Sequence, residues 1–304
     1  MTIAIDFIGT NLGSGTKTYN INFCNELEKT ETESDFLIYV TKNYFEEISS
    51  FKKNSKIKYK IKSNLLSNIF FRLIWMQLLL PFELKFLGIS KLYSPMNFSP
   101  IFSKWFKIRV VLALHSNLPW VYFNLMPGNI IRNYFTKKIM ELSIYNCETL
   151  IVDSVFAKNE ISNILKINSN KVKVIYLGIN DKYLSENLSD NYLENVDYNT
   201  KYILSVLSCV KYHNIINLLK AFKFLLNEND IKIKLVLVSQ VLDKDYFKEI
   251  KNFIEINFLN NQIIIINNLK SKYLLNLYKN AELYLFSSYC EGFGLTSLEA
   301  MSQK

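Results

Sequence analysis

Short runs of Ile, Val and Leu recur along this chain, and most are followed by a segment with helical periodicity. "IAIDFIG" precedes a helix expected over residues 15–28, "DFLIYV" follows it, and "IRVVLAL" leads to a helix near Asn129 to Tyr145. "TLIVDS", a helix over Val155 to Leu165 and "KVKVIYLG" then close one α/β unit near Gly178. Strands without polar alternation are those buried on both faces of a parallel sheet, and such strands need helical crossovers. Residues 181–200, "DKYLSENLSDNYLENVDYNT", have weak apolar periodicity and many Asn, Asp and Ser residues, so they read as a linker. A second series follows: "KYILSVLS", a helix from Ile215 to Leu226, "IKIKLVLVS", a helix from Asp245 to Phe258, "QIIIINN", a helix from Tyr273 to Lys279 and "AELYLFSS". The expected architecture is α/β, with two Rossmann-like doubly wound domains at 1–180 and 201–304 facing a cleft. Ligands of such sheets bind beyond the carboxyl ends of the strands, so the loops after the strands are where chemistry is sought.

A chain of 304 residues, 49% hydrophobic and 21% charged, can bury two cores and is not disordered. Its net charge of +9 comes almost wholly from lysine, in a chain crowded with Ile, Asn, Tyr and Phe. No run of five like charges, zinc-ligand cluster or aromatic nucleic-acid motif accompanies that charge, so nucleic acid is not an expected partner. A basic surface does suit phosphorylated substrates and the anionic cytoplasmic leaflet. Cys24, Cys147, Cys209 and Cys290 form no C-x-x-C pair and sit beside apolar residues, which fits reduced cytosolic thiols. "MTIAIDFIGT" lacks the basic region and cleavage site of a signal peptide. "IFFRLIWMQLLLPFELKFLG" is interrupted by Arg72, Gln77, Pro81, Glu83 and Lys85, so it reads as an amphipathic helix packed on a core or lying on a bilayer. The expected location is cytoplasmic, with peripheral attachment at the inner face of the cell membrane as an extension of that reading. Trp75, Trp105 and Trp120 read as packing residues in preference to a stacking platform.

The closing stretch "AELYLFSSYCEGFGLTSLEAM" carries the densest chemistry. A strand leads into Tyr289 to Gly294, and a helix starts at Leu295. Gly292 and Gly294 permit close approach to free amides at a helix start, which suits an anion or a sugar hydroxyl. Glu291 and Glu299 stand eight residues apart, within about 80° of each other on a helical projection, and ionised carboxylates accept from sugar hydroxyls. On spacing alone, a solvated loop carboxylate and an exposed helix glutamate fit equally. Gly13 and Gly15 flank a strand-to-helix turn that could meet phosphate or simply turn the chain. The two histidines, His115 and His213, both fall in loops after strands. Asp243 and Asp245 form a D-x-D pair that either holds a divalent metal or, favoured here, opens a helix.

"SSYCEGFGLTSLEAM" resembles the E-x7-E signature of glycosyltransferase family 4 (group 1), retaining enzymes of the GT-B fold. "GSGTKTYNINFCNEL" resembles its glycine loop and first helix, "VLALHSNLPW" its strand ending in histidine, and "YILSVLSCVKYHNIINLLKAF" the strand, phosphate loop and helix that open the donor domain. The resemblance implies that Glu291 holds hydroxyls of the transferred sugar, that Gly292, Phe293, Gly294 and Leu295 cradle it, and that Glu299 binds the ribose. It implies that His115 contacts the sugar near its anomeric centre, although Ser116 replaces the aspartate that usually follows. His213 and Tyr212 occupy the usual Lys and Arg positions of the diphosphate clamp, with Lys211 just before them, so the resemblance gives Lys211 and His213 the donor phosphate.

These readings converge on a retaining glycosyltransferase. A nucleotide-diphosphate sugar would be donor and a glycan or lipid-linked molecule acceptor, without an obligatory metal or other cofactor, in the synthesis of bacterial surface polysaccharide. The alternative is a non-catalytic fragment or a sugar-nucleotide-binding or partner protein of the same fold; a nucleotide-sugar epimerase ranks last, since its catalytic carboxylates cannot be placed. Relatives continue beyond this helix with a turn, a strand and crossover helices, so the second domain is expected to be truncated.

Overall fold

The computed structural model describes residues 1–9, 14–48, 54–184, 192–194, 196–228 and 231–303. The chain divides into two compact units, Met1–Trp120 with Tyr134–Leu177, and Val121–Asn133 with Gly178–Lys304.

The first unit is built on a seven-stranded parallel sheet. Its strands are β1 (Thr2–Asp6), β2 (Asp35–Thr41), β3 (Ile57–Lys62), β4 (Lys91–Ser94), β5 (Arg109–Leu114), β6 (Thr149–Val152) and β7 (Val172–Val174), in the order β3-β2-β1-β4-β5-β6-β7. Alternate residues serve opposite faces, as the pleat requires. On one face Ile5, Phe7, Ile38 and Val40 pack with Cys24 of helix α1 (Ser14–Lys29) and with Tyr44 and Ile48 of α2 (Lys42–Ile48). On the other, Ala4, Tyr39, Leu92, Leu112 and Leu150 meet α3 (Ile69–Ile74), α4 (Leu80–Phe86), α6 (Ile130–Asn146) and α7 (Val155–Leu165). A short helix α5 (Leu118–Val121) follows β5.

Pro81, which interrupts the apolar run, lies within the helical run expected there. A π-turn at Trp75–Leu79 joins α3 to α4 and places Pro81 in the first turn of α4, where a missing N–H costs least. Gln77, in that turn, uses its side chain to hold the backbone of Ser99 and Ile101, at 3.1 and 2.7 Å. The sequence pattern had also passed over the edge strand β3, whose "IKYKIK" alternates as a half-exposed strand does.

At the carboxyl end of β1 two fully buried ionisable side chains, Asp6 and Arg72, feel each other's charge. Asp6 accepts from the Ile8 amide at 2.9 Å, and burial pushes its carboxyl up to about 6 against the pull of the Arg72 guanidinium and that amide. Arg72, 1% exposed, reaches in from α3 with its guanidinium 5.5 Å from the Phe98 ring centre. Gly9 turns with φ +88°, a conformation that favours glycine, and a Cβ there would stand 2.5 Å from Arg72 Nη1 and make the guanidinium shift.

The second unit holds a four-stranded parallel sheet of β8 (Tyr202–Val206), β9 (Lys234–Ser239), β10 (Ile263–Asn267) and β11 (Leu283–Tyr284), ordered β10-β9-β8-β11. Ile203, Leu235, Leu237 and Ile263 face α8 (Ile215–Glu228) and α9 (Lys244–Ile256). Tyr202, Leu204, Val236 and Val238 face α10 (Leu274–Asn280) and Ala300 of α11 (Leu295–Met301). Tyr183 and Val196, from the stretch read as linker, are buried in that same core. The Asp243 carboxylate caps α9 by accepting from the Asp245 and Tyr246 amides, at 3.1 and 3.0 Å, which accounts for the D-x-D pair as a helix start.

In each sheet the strand order reverses once, between β1 and β4 and between β8 and β11. Those two crevices are where loops diverge and a ligand has room.

Replacing Arg72 by methionine tests the buried pair. Without the cation the Asp6 carboxyl rises further. A carboxyl raised on folding contributes stability at low pH that is lost as pH climbs through the folded value. Urea unfolding should show a loss of about 3–5 kcal/mol at pH 8 and a clearly smaller loss at pH 5. Equal losses would contradict the coupling.

Candidate functional site

The register Leu204↔Tyr284 between β8 and β11 brings the segments that follow these strands side by side. After β8 the chain makes a single helical turn, Lys211–His213. Three contacts tie it to the stretch after β11: the Tyr289 amide donates to Tyr212 O at 2.9 Å, Ser287 Oγ to His213 O at 2.7 Å, and Ser288 Oγ to Tyr212 O at 3.4 Å.

His213, 8% exposed, is held at both ring nitrogens. Nδ1 lies 2.6 Å from Ser208 O, and Nε2 lies 3.1 Å from Glu291 Oε1. Both partners are acceptors, and one faces each ring nitrogen. The turn therefore holds the His213 ring in a fixed direction against a carboxylate that is one-third exposed, with the exposed ammonium of Lys211 at its start. Tyr212, between them, has its hydroxyl pushed up by burial and then by the charge of Glu291.

Gly292 is buried, Phe293 and Leu295 are half-buried, and Gly294 caps α11 in the left-handed region at φ +87°. Glu291 lies outside α11, so the helical projection does not relate it to Glu299. Glu299 instead accepts from the Tyr278 hydroxyl at 3.0 Å. Burial, then this carboxylate, raises both Tyr278 and Tyr183. Tyr284 connects the two glutamates: burial raises it most, and it feels Glu299 and then Glu291 while bonding to Thr296. The arrangement offers carboxylate acceptors and the Lys211 ammonium within one crevice, the complement of a ligand that carries both hydroxyls and phosphate.

The first unit holds a separate cluster. His115 follows β5, Asp153 follows β6, and the register Leu114↔Val152 sets them side by side. His115 Nδ1 donates to Asp153 Oδ2 at 2.9 Å, and the amide of His115 donates to Asn97 Oδ1 at 2.8 Å. The ring of Tyr19, from α1, lies 4.5 Å away, centre to centre, and the Tyr19 and Tyr93 hydroxyls are hydrogen-bonded. With Nδ1 committed, Nε2 is left as the working nitrogen; it is buried and has no hydrogen-bond partner among the described residues. Ser116 turns its hydroxyl to the Leu118 amide at 3.3 Å, so the orienting carboxylate comes from Asp153. Sequence reading missed Asp153, and the available signal was positional: "VVLALH" and "TLIVD" each end an apolar strand in a polar residue. Gly15 is the second residue of α1, and a Cβ there would meet nothing within 4 Å. Gly13 lies outside the described residues.

Residues 193–304 match the family described as Glycosyl transferases group 1. The O-antigen chain mannosyltransferase RfbU of Salmonella typhimurium is 21% identical over 192 residues, which cover 63% of this chain and 49% of that protein. The chain spans about half the length of the curated relatives it matches. Among solved structures, a glycosyltransferase from Rickettsia africae superposes with a TM-score of 0.71 at 20% identity, covering 99% of this chain and 77% of that one. HepE of Anabaena, in complex with UDP and glucose, gives 0.67 at 13% identity, covering 100% and 78%. These likenesses show the fold, the α/β architecture with parallel sheets that GT-B glycosyltransferases share.

Asp153→Ala tests the histidine cluster without any assay of activity. The loss of a buried partner should cost about 1–3 kcal/mol in urea unfolding. Long-range proton–nitrogen correlations should find the proton on Nδ1 of His115 in the parent and a mixture of tautomers in the variant. An unchanged tautomer would show that Asp153 does not orient the ring.

Proposed function

We propose that this chain is a glycosyltransferase that moves a sugar, with retention, from a nucleotide-diphosphate sugar to a glycan or lipid-linked acceptor, in the synthesis of bacterial surface polysaccharide on the cytoplasmic side of the membrane. The observation that carries this reading is the His213–Glu291 pair, with Lys211, at the β8/β11 crevice, inside the stretch that matches the glycosyltransferase family. A nucleoside diphosphate needs cations beside its leaving oxygen, and a sugar needs acceptors for its hydroxyls; this crevice holds both. The likeness to a structure holding UDP and glucose supports a nucleotide-sugar donor, and the relative that extends O-antigen chains supports a surface glycan as product.

In this reading Lys211 and His213 stabilise the departing diphosphate, Glu291 accepts from the sugar, and Glu299, steadied by Tyr278, accepts from the ribose. In the first unit, His115, held by Asp153, offers Nε2 to a polar group of a substrate. The bond from the anomeric carbon to the phosphate oxygen breaks while the acceptor oxygen bonds to the same face of that carbon, and the acceptor proton passes to the leaving phosphate. Each charge that develops is met by a group already in place, so little reorganisation is needed during the transfer.

Replacing Glu291 by alanine should lower transfer from the donor by about 10²–10³-fold, the usual cost of losing one preorganised polar contact in a transition state. Far-ultraviolet circular dichroism should be unchanged. Retained turnover would sink the assignment of Glu291, and a sugar-nucleotide-binding protein without transfer activity would show donor binding but no product in the parent chain as well.

A further inference from the structure

We propose that the outer face of the helical run from α3 through the π-turn to α4, with the turn Ser103–Phe106 beside it, docks the chain onto an anionic lipid bilayer. Arg72, Met76, Leu80 and Leu84 point into the core from this run. Phe70, Ile74, Leu78, Phe82 and Phe86, also spaced by four, form the opposite row, and all are exposed, Phe86 by 91%. In a pure α-helix a row spaced by four winds round by about 40° at each step. The wider π-turn takes back part of that winding, which keeps one row inward and one outward over the whole run. Phe82 packs edge-on against Phe106 at 4.7 Å, and Phe102 lies 4.7 Å from Trp105, so the apolar row continues into the neighbouring turn. Trp105, which reads as a packing residue in the sequence, stands 78% exposed.

Exposed apolar surface of this extent marks an interaction site, and the charge around it names the partner. Besides the buried Arg72, residues 54–108 contain eight Lys residues and a single acid, Glu83. Glu83 is neutralised by Lys60 at 2.5 Å and Lys62 at 2.8 Å. Lys85, Lys104 and Lys107 remain exposed at the apolar row, and the Lys85 ammonium lies 5.9 Å from the centre of the Phe106 ring. Lysine stems along apolar surface with ammonium groups in water, and an exposed tryptophan at the same level, match the interface between acyl chains and phosphate headgroups. A groove of about 580 Å³ opens on this face, lined by Leu65, Leu66, Phe71, Ile74 and Leu79, with the Lys62–Glu83 pair as its charged lining. Acyl chains of the same leaflet would occupy it. No described helix is long and apolar enough to cross a membrane, so the contact is one of surface and not of passage.

This surface lies apart from the β8/β11 crevice in sequence. It deepens the proposed function by giving a lipid-linked acceptor a place to be met, yet it rests on its own residues: failed nucleotide binding would leave it standing.

The test is co-sedimentation of the whole chain with extruded vesicles. Vesicles with anionic phosphatidylglycerol should bind at least about tenfold better than pure phosphatidylcholine, with the advantage lost at high salt. Phe82→Ser with Phe86→Ser should abolish binding while leaving circular dichroism unchanged, since neither side chain supports the core. Lys104→Glu with Lys107→Glu should remove the preference for anionic lipid. Brominated lipid should quench tryptophan emission in the parent and much less in Trp105→Phe. Absence of vesicle binding, binding that survives the phenylalanine changes, or a concentration-dependent increase in mass through this face without vesicle binding would each overturn the proposal, the last by making the partner a second copy of the chain.

Discussion

A parallel ladder cannot be closed by a tight turn, so each strand must return through a crossover, and all carboxyl ends finish along one edge of the sheet. Every named strand pair in both units is parallel. The functional residues inherit their positions from that geometry. His115 and Asp153 meet because β5 and β6 are adjacent and in register; His213 and Glu291 meet because β8 and β11 are. These pairs are separated by 38 and 78 positions in the chain, and nothing in their local sequence brings them together.

The strands and helices were legible where one physical signal dominated. Continuous runs such as "KLVLVS" announce a strand buried on both faces, and Ile215, Leu218, Leu219 and Phe222 of α8 repeat at helical spacing. Signals failed where two effects competed. The edge strand β3 alternates lysine with Ile and Tyr and reads as polar chain, and the apolar run at 283–286 forms a ladder only over Leu283–Tyr284. Trp105 is exposed for a reason that periodicity cannot express, since the turn that carries it contributes Ser103 to the core and leaves the indole outside.

For the site, the residue types were legible and their pairing was not. Glu291, His213 and Lys211 could be picked out as polar residues in loops that follow strands. That His213 spends both ring nitrogens, one on a backbone carbonyl and one on Glu291, depends on the fold. The consequence is geometric: His213 is held in a fixed direction, whereas Lys211 beside it is exposed. Glu299 illustrates the same limit. Its spacing from Glu291 allows both to face one pocket, but the tyrosine set from α10 and β11 that surrounds Glu299 depends on the fold. Asp153 lies outside every local motif and takes its part through strand register alone.

Binding of a nucleotide sugar in the β8/β11 crevice can be measured by thermal unfolding of the purified chain, alone and with saturating UDP, GDP and their sugar conjugates. A ligand at a hundredfold its dissociation constant adds about 2.7 kcal/mol to the folded state. The account predicts a cooperative transition raised by one nucleotide family and its conjugates, with the shift lost in Lys211→Ala. A cooperative transition that no nucleotide or nucleotide sugar moves would contradict it.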